Sequence, residues 1–174
     1  MLKNITLPIC LFFITLSQTA QANIEIDFRE GAPKDRFIIK NIGQCEFNDL
    51  EVTIDLSNSD GKLIFDTTAS GAGVEVFQPF EVTEGNMQLA NDSVIFDGSN
   101  KIKLNISNLA PQKVASFTID VDDTLTNSEL GNIRVSNSEI NNSQVIVKID
   151  DSSSSNSSFG VDSKAMITLA SCKT

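Results

Sequence analysis

The sequence predicts an all-β fold, a two-sheet antiparallel β-sandwich. Three observations carry the prediction. Apolar side chains recur with period two in four separate stretches. Gly, Asn, Asp and Pro clusters punctuate the chain at short intervals. Beyond the N-terminal region there is no convincing amphipathic helix.

The four stretches come in order. "IEIDF" (24–28) sets Ile24, Ile26 and Phe28 against Glu25 and Asp27. "LEVTIDL" (50–56) sets Leu50, Val52, Ile54 and Leu56 against Glu51, Thr53 and Asp55. "KIKLNIS" (101–107) and "FTIDV" (117–121) repeat the pattern with Ile102, Leu104 and Ile106, then Phe117, Ile119 and Val121. Each is a half-buried strand with one face on a core and the other in water. Further strands are expected at 36–40, 63–65, 74–77, 94–96, 133–135, 144–149 and 165–169. Turn residues separate them, as at Gly31-Ala32-Pro33, Ser59-Asp60-Gly61 and Asp97-Gly98-Ser99-Asn100. "EGNMQLAND" (84–92) has room for a single helical turn. "DDSSSSNSSFG" (150–160) reads as a mobile polar loop inside the domain. "GAGVEVFQPFEV" (71–82) reads first as a bulged core strand, because Phe is the large aromatic available for packing; its second reading is a partner surface with exposed Phe77 and Phe80.

The N-terminus has the layout of a secretory signal. Lys3 precedes an apolar run, and Ala20-Gln21-Ala22 supplies small residues at a cleavage site. Residues 1–22 are therefore expected to be removed, leaving 23–174 as a single domain with no membrane span, secreted or periplasmic. Export also sets the reading of the cysteines. Cys45 and Cys172 remain after cleavage, and a pair in an exported chain is expected to form a disulfide; the other reading is two buried thiols. The chain carries 23 acidic and 13 basic residues. Such a surface repels nucleic acid and attracts divalent cations, so no nucleic-acid partner is expected.

"FTIDVDDTL" (117–125) resembles the nucleophile motif of haloacid-dehalogenase-type phosphatases. That motif needs a central parallel strand and partner motifs carried on further βα units. Too little chain remains after Asp120, and that remainder reads as strands and a Ser-rich loop, so a phosphatase is only a remote alternative. The chain contains no His, which removes Ser-His and Cys-His nucleophile systems and His-ligated zinc. No enzyme is expected.

On a strand, Asp120 and Asp122 share a face opposite Phe117, Ile119 and Val121, which places them on the solvent side, with Asp123 opening the next turn. Carboxylates so close repel one another. Two readings stay open. One is a calcium site at Asp120, Asp122 and Asp123, since Ca²⁺ takes six to eight oxygen ligands. The other is a solvated acidic edge that discourages sheet-to-sheet aggregation. Asp97, Asn100, Asp150 and Asp151 are further candidate ligands that the sequence does not place.

Three stretches, "FREGAPKDRFIIKNIGQC" (28–45), "VTIDLSNSDGKLIFDTTASGAGVEVFQPFE" (52–81) and "LAPQKVASFTIDVDDTL" (109–125), together resemble small exported bacterial proteins described as similar to the core protein of the sponge aggregation factor. "GAGVEVFQPFE" is the most specific of the matching segments. The resemblance implies an exported, non-enzymatic sandwich with a role in cell–cell or matrix adhesion. A wider likeness to immunoglobulin-like modules of bacterial surface proteins implies an immunoglobulin-like plan. The expected partners are a protein or glycan at the cell surface, or a second copy of the chain. The alternative is a carbohydrate- or protein-binding module of another ligand.

Overall fold

The computed structural model describes residues 22–149 and 153–169. All regular structure among them is β, in eleven strands, and none of the described residues is helical. In chain order the strands are β1 (Ala22–Arg29), β2 (Asp35–Asn41), β3 (Phe47–Asp55), β4 (Ile64–Asp66), β5 (Glu81–Glu84), β6 (Asn86–Leu89), β7 (Lys101–Leu109), β8 (Val114–Asp122), β9 (Gln144–Ile149), β10 (Ser153–Ser158) and β11 (Lys164–Leu169).

They form two antiparallel sheets. One runs β11-β1-β2-β8-β4, with β5 also paired to β8; the other runs β10-β9-β3-β7-β6. The period-two stretches explain the core between them. Ile24, Ile26 and Phe28, Phe37 and Ile39, and Phe117, Ile119 and Val121 are buried from the first sheet. Leu50, Val52 and Ile54, Ile102, Leu104 and Ile106, and Val145 and Val147 are buried from the second. Phe supplies the aromatic packing: the Phe37 and Phe117 rings stack with centroids 5.0 Å apart, and Phe28 and Phe159 also pack on Phe37. Two antiparallel sheets around one apolar core are a β-sandwich.

The departures from the sequence reading concern the connections. "EGNMQLAND" gives strand instead of a helical turn: it spans the end of β5 and all of β6, because their backbones complete ladders on β8 and β7. The serine-rich stretch is β10 and not a loop; its backbone adds to β9 from Ser153↔Ile149 to Ser158↔Gln144, so the ladder overrides a composition poor in strand formers. Residues 74–77, 94–96 and 133–135 are not strands but irregular connections. Residues 71–80 likewise form no bulged core strand. They lie mostly exposed, and Phe80 reaches only the rim of the core, 5.2 Å from the Phe117 ring centroid.

Cys45 is buried and carries no free thiol. Cys172, its expected partner, lies outside the described residues, as do Lys3, most of the expected signal segment, Asp150 and Asp151. A buried Asn41 fixes the chain beside Cys45: its Nδ2 donates to the carbonyls of Cys45 (2.6 Å) and Leu109 (2.9 Å), and its Oδ1 accepts from the Gly43 N–H (3.0 Å).

Candidate functional site

The alternation along β8 holds, but its outer face is not in water. Phe117, Ile119 and Val121 enter the core, and Asp120 and Asp122 share the other face as expected. Yet Asp120 is 2 % exposed and Asp122 0 %. The expectation that both face solvent is therefore wrong. The reason lies in the chain between β4 and β5, which is joined to β8 by backbone and side-chain bonds. The Val74 N–H donates to Asp122 Oδ2 (2.8 Å), the Asp120 N–H donates to the Gln78 carbonyl (3.2 Å), and the Gln78 N–H donates to the Asp66 carbonyl (3.3 Å). Further along, the Thr83 and Ser116 hydroxyls are hydrogen-bonded at 2.8 Å.

This arrangement brings in a carboxylate that sequence reasoning missed. Asp66, 1 % exposed, ends β4 directly opposite Asp120, while Ile64 stands opposite Asp122. Asp66, Asp120 and Asp122 thus share one patch of sheet. Each keeps a buried oxygen with no hydrogen-bond partner: Asp66 Oδ2, Asp120 Oδ2 and Asp122 Oδ1. None of the ion pairs among the described residues involves them. Burial, reinforced by the neighbouring charges of Asp122 and Asp66, pushes the Asp120 carboxyl up to about 7. Burial also raises Asp122, to about 6, against the opposing Val74 bond. Asp66 is raised by burial and by the charge of Asp97.

Asp123 is differently employed. Its Oδ1 accepts from the Leu125 N–H (3.0 Å) and from Asn132 Nδ2 (3.2 Å), which closes the turn after β8, although its Oδ2 is also buried without a partner. Asp35, at the start of β2, is buried too, but both of its oxygens are satisfied, Oδ1 by the Gly31 N–H (3.1 Å) and Oδ2 by the Val121 N–H (2.9 Å). Burial still drives it up to about 8.

Asp97 ties two loops together. Its Oδ1 accepts from the N–H groups of Thr67 (2.8 Å) and Thr68 (3.0 Å), and its Oδ2 from the Thr68 hydroxyl. These bonds hold its carboxyl below the usual range, the Thr68 hydroxyl foremost. Asn100 is committed elsewhere, its carbonyl accepting from the Leu56 N–H (2.7 Å). The tied loops leave apolar side chains in water: Val94 is 74 % exposed and Phe96 64 %, with Val76 also exposed. Glycine permits the close approach of the first loop. Gly73 has φ +118°, and a side chain there would collide with the Asp66 carboxyl and lie 2.8 Å from Asp122 Oδ2.

Among the described residues, no three acidic or cysteine side chains form a ready-made metal shell. Two clefts lie away from Asp66, Asp120 and Asp122. One, of about 430 Å³, is lined by Asp49, Glu51, Gln88, Asn105, Ile106, Ser107 and Lys148 on the second sheet. The other lies around Leu130, Val135 and Val161. In the first, Lys148, Glu51, Asn105 and Gln88 form a row, each opposite the next across β9, β3, β7 and β6. No helix among the described residues is long and apolar enough to cross a membrane. Comparison of the chain with protein-family models, with curated proteins and with solved structures finds no match.

Proposed function

We propose that this chain is an exported, non-enzymatic β-sandwich that works by binding, in an adhesion or aggregation role. The observation that carries the reading is the loop end of the sandwich. Asp97 ties the 94–99 loop to Thr67 and Thr68, Asp122 holds the Val74 N–H, and Val76, Val94 and Phe96 are left out in water. Fixed loops that display large apolar side chains are suited to a protein partner, because the loss of mobility has already been met before association. The self-associating version of this reading takes a second copy of the chain as that partner.

The sequence supports the rest of the proposal. The signal-like N-terminus supports a location outside the cytoplasm, in the periplasm or beyond. An immunoglobulin-like plan and a Cys45–Cys172 disulfide fit that location. The phosphatase alternative finds no support in the setting of Asp120, since β8 is antiparallel to each of its neighbours β2, β4 and β5. Sedimentation velocity on the mature chain tests the proposal. Concentration-dependent association that is lost in the Val94→Ser, Phe96→Ser double variant is expected. Equal association of the variant and the parent contradicts the self-association version.

The second reading is a glycan-binding module, favoured by the Lys148–Glu51–Asn105–Gln88 row. Planar amide and carboxylate groups at strand spacing, about 4.8 Å, match the hydroxyl pairs of successive sugars. Retention on a glycan array that disappears with Glu51→Ala and Asn105→Ala would favour this reading over the first.

A further inference from the structure

We propose that Asp66, Asp120 and Asp122 form a divalent-cation site of the Ca²⁺ class, closed by the backbone of residues 67–80. Register brings the three together. Asp66 and Asp120 are direct cross-strand partners, so their Cβ atoms lie about 5 Å apart, and Asp122 comes next on the same face, two residues along β8. Three carboxylates thus lie on one face of two adjacent strands.

A second observation is independent of their clustering. All three residues are at most 2 % exposed, and each has an oxygen with no hydrogen-bond partner. Buried polar atoms are almost always satisfied. A buried carboxylate without a partner is strongly unfavourable, and three together repel one another besides. No ion pair among the described residues brings a Lys or Arg to them. Something else must neutralise them, and only a proton or a cation is small enough.

The donor set selects the cation. The donors are oxygens alone, with no imidazole or thiolate, which suits a hard ion. Mg²⁺ demands near-octahedral geometry and keeps several waters, whereas Ca²⁺ accepts six to eight oxygens in irregular arrangements, loop carbonyls included. Gly73 brings loop backbone onto the same carboxyls so closely that a side chain there would strike Asp66. Asp66 and Asp122 both present a carboxyl oxygen to the Gly73 backbone; the three carboxyls are not a ready-made shell, and the ion draws them together. Asp123 stays with its turn, bonded to Leu125 and Asn132. Because Val74 bonds Asp122 and Gln78 bonds both Asp120 and Asp66, the ion fixes the 67–80 segment. Its consequence for partner binding rests on the reading of the loop end given above; the site itself does not.

The test is thermal unfolding of the mature chain at pH 7.5 in millimolar Ca²⁺, in Mg²⁺ and in EDTA, with calorimetric Ca²⁺ titration beside it, since the chain has no Trp or Tyr to report by fluorescence. Ca²⁺ should raise the midpoint by about 5 °C or more over EDTA, and more than Mg²⁺ does. Asp122→Asn and Asp66→Asn should abolish that shift. In EDTA they should melt at or above the parent, because each removes a repelling charge. Equal midpoints of the parent in Ca²⁺ and EDTA, with no heat of binding, overturn the site, as does a full Ca²⁺ shift retained by Asp66→Asn. A Ca²⁺ shift without any change in self-association leaves the site standing and counts against the role of the loop end.

Discussion

Asp66 on β4 and Asp120 on β8 stand directly opposite each other, both almost fully buried, and no ion pair among the described residues gives either a basic partner. Like charges at directly opposed positions destabilise a sheet. Here Asp122, two residues along the same strand, adds to the repulsion. The fold accepts this because the flanking residues are strongly committed: Phe65 and Val121, the next cross-strand pair, are both fully buried in the core.

Stability should depend on pH in two limbs. Asp35, Asp120 and Asp122 have folded pKa values raised to about 8, 7 and 6, above the ordinary value of 3.8. A carboxyl raised in this way binds its proton more tightly when folded. Stability is therefore greatest on the acid side of this window and falls as pH rises from about 4 to 8. Glu30, Asp55 and Asp97 are shifted the opposite way, so their contribution is lost as pH falls below about 4. In EDTA, the melting midpoint should be higher at pH 5 than at pH 8 and should drop again in stronger acid. Calorimetry across this range checks both limbs.

Gly73→Ala should be among the most damaging single-methyl additions in the chain. It combines φ +118° with a clash against the Asp66 carboxyl. A loss of roughly 2–4 kcal/mol is expected from strain and overpacking together. Gly131→Ala is the control: its φ is +87°, but nothing lies within 4 Å of the added methyl. Urea midpoints of the two variants should separate clearly, with Gly131→Ala costing about 1 kcal/mol.

Asp35 and Asp122 should respond differently to the same substitution. Both oxygens of Asp35 accept backbone N–H groups, from Gly31 and Val121. Asparagine can replace only one acceptor and sets an N–H against the other donor. Asp35→Asn should cost about 1–3 kcal/mol in EDTA at pH 7.5, where Asp122→Asn costs nothing. Denaturant titration of the two variants side by side gives the comparison.

Phe117 links the Phe37 aromatic cluster to Phe80: it stacks on Phe37 and is touched by Phe80. Phe117→Ala should cost roughly 3–5 kcal/mol, and Phe117→Leu much less. Because Phe80 lies at the end of the 67–80 segment, Phe117→Ala should also raise that segment's susceptibility to proteolysis. Limited digestion with mass analysis of the fragments reads this out.

Much of this architecture is legible in the residues themselves. Ile24, Ile26 and Phe28, or Leu104 and Ile106, alternate so regularly that their strands and core faces can be read from the pleat. The third dimension of the connections is not legible in the same way. Asp120 looks solvent-facing because alternation tells which side of a sheet a residue takes, and not what then covers that side. Asp66 ends a short apolar run and carries no sign that β4 will set it opposite Asp120; that is a matter of register over a long separation. The glycines of "ASGAG" (69–73) do signal close backbone approach, and they are the local clue that the segment could close over a neighbour. The serines of β10 mislead for the opposite reason, since their strand is made by the waiting edge of β9.

If buried carboxylates govern the loop above them, the effect must register at the Val74 amide, which donates to Asp122 Oδ2. Hydrogen exchange reads that amide individually. Exchange at Val74 should slow by tenfold or more when Ca²⁺ replaces EDTA at pH 7.5, on the order of 1.4 kcal/mol of added protection, while amides in the β3–β7 ladder change no more than global stability requires. An unchanged Val74 rate in Ca²⁺ and EDTA would refute control of the loop by the carboxylates.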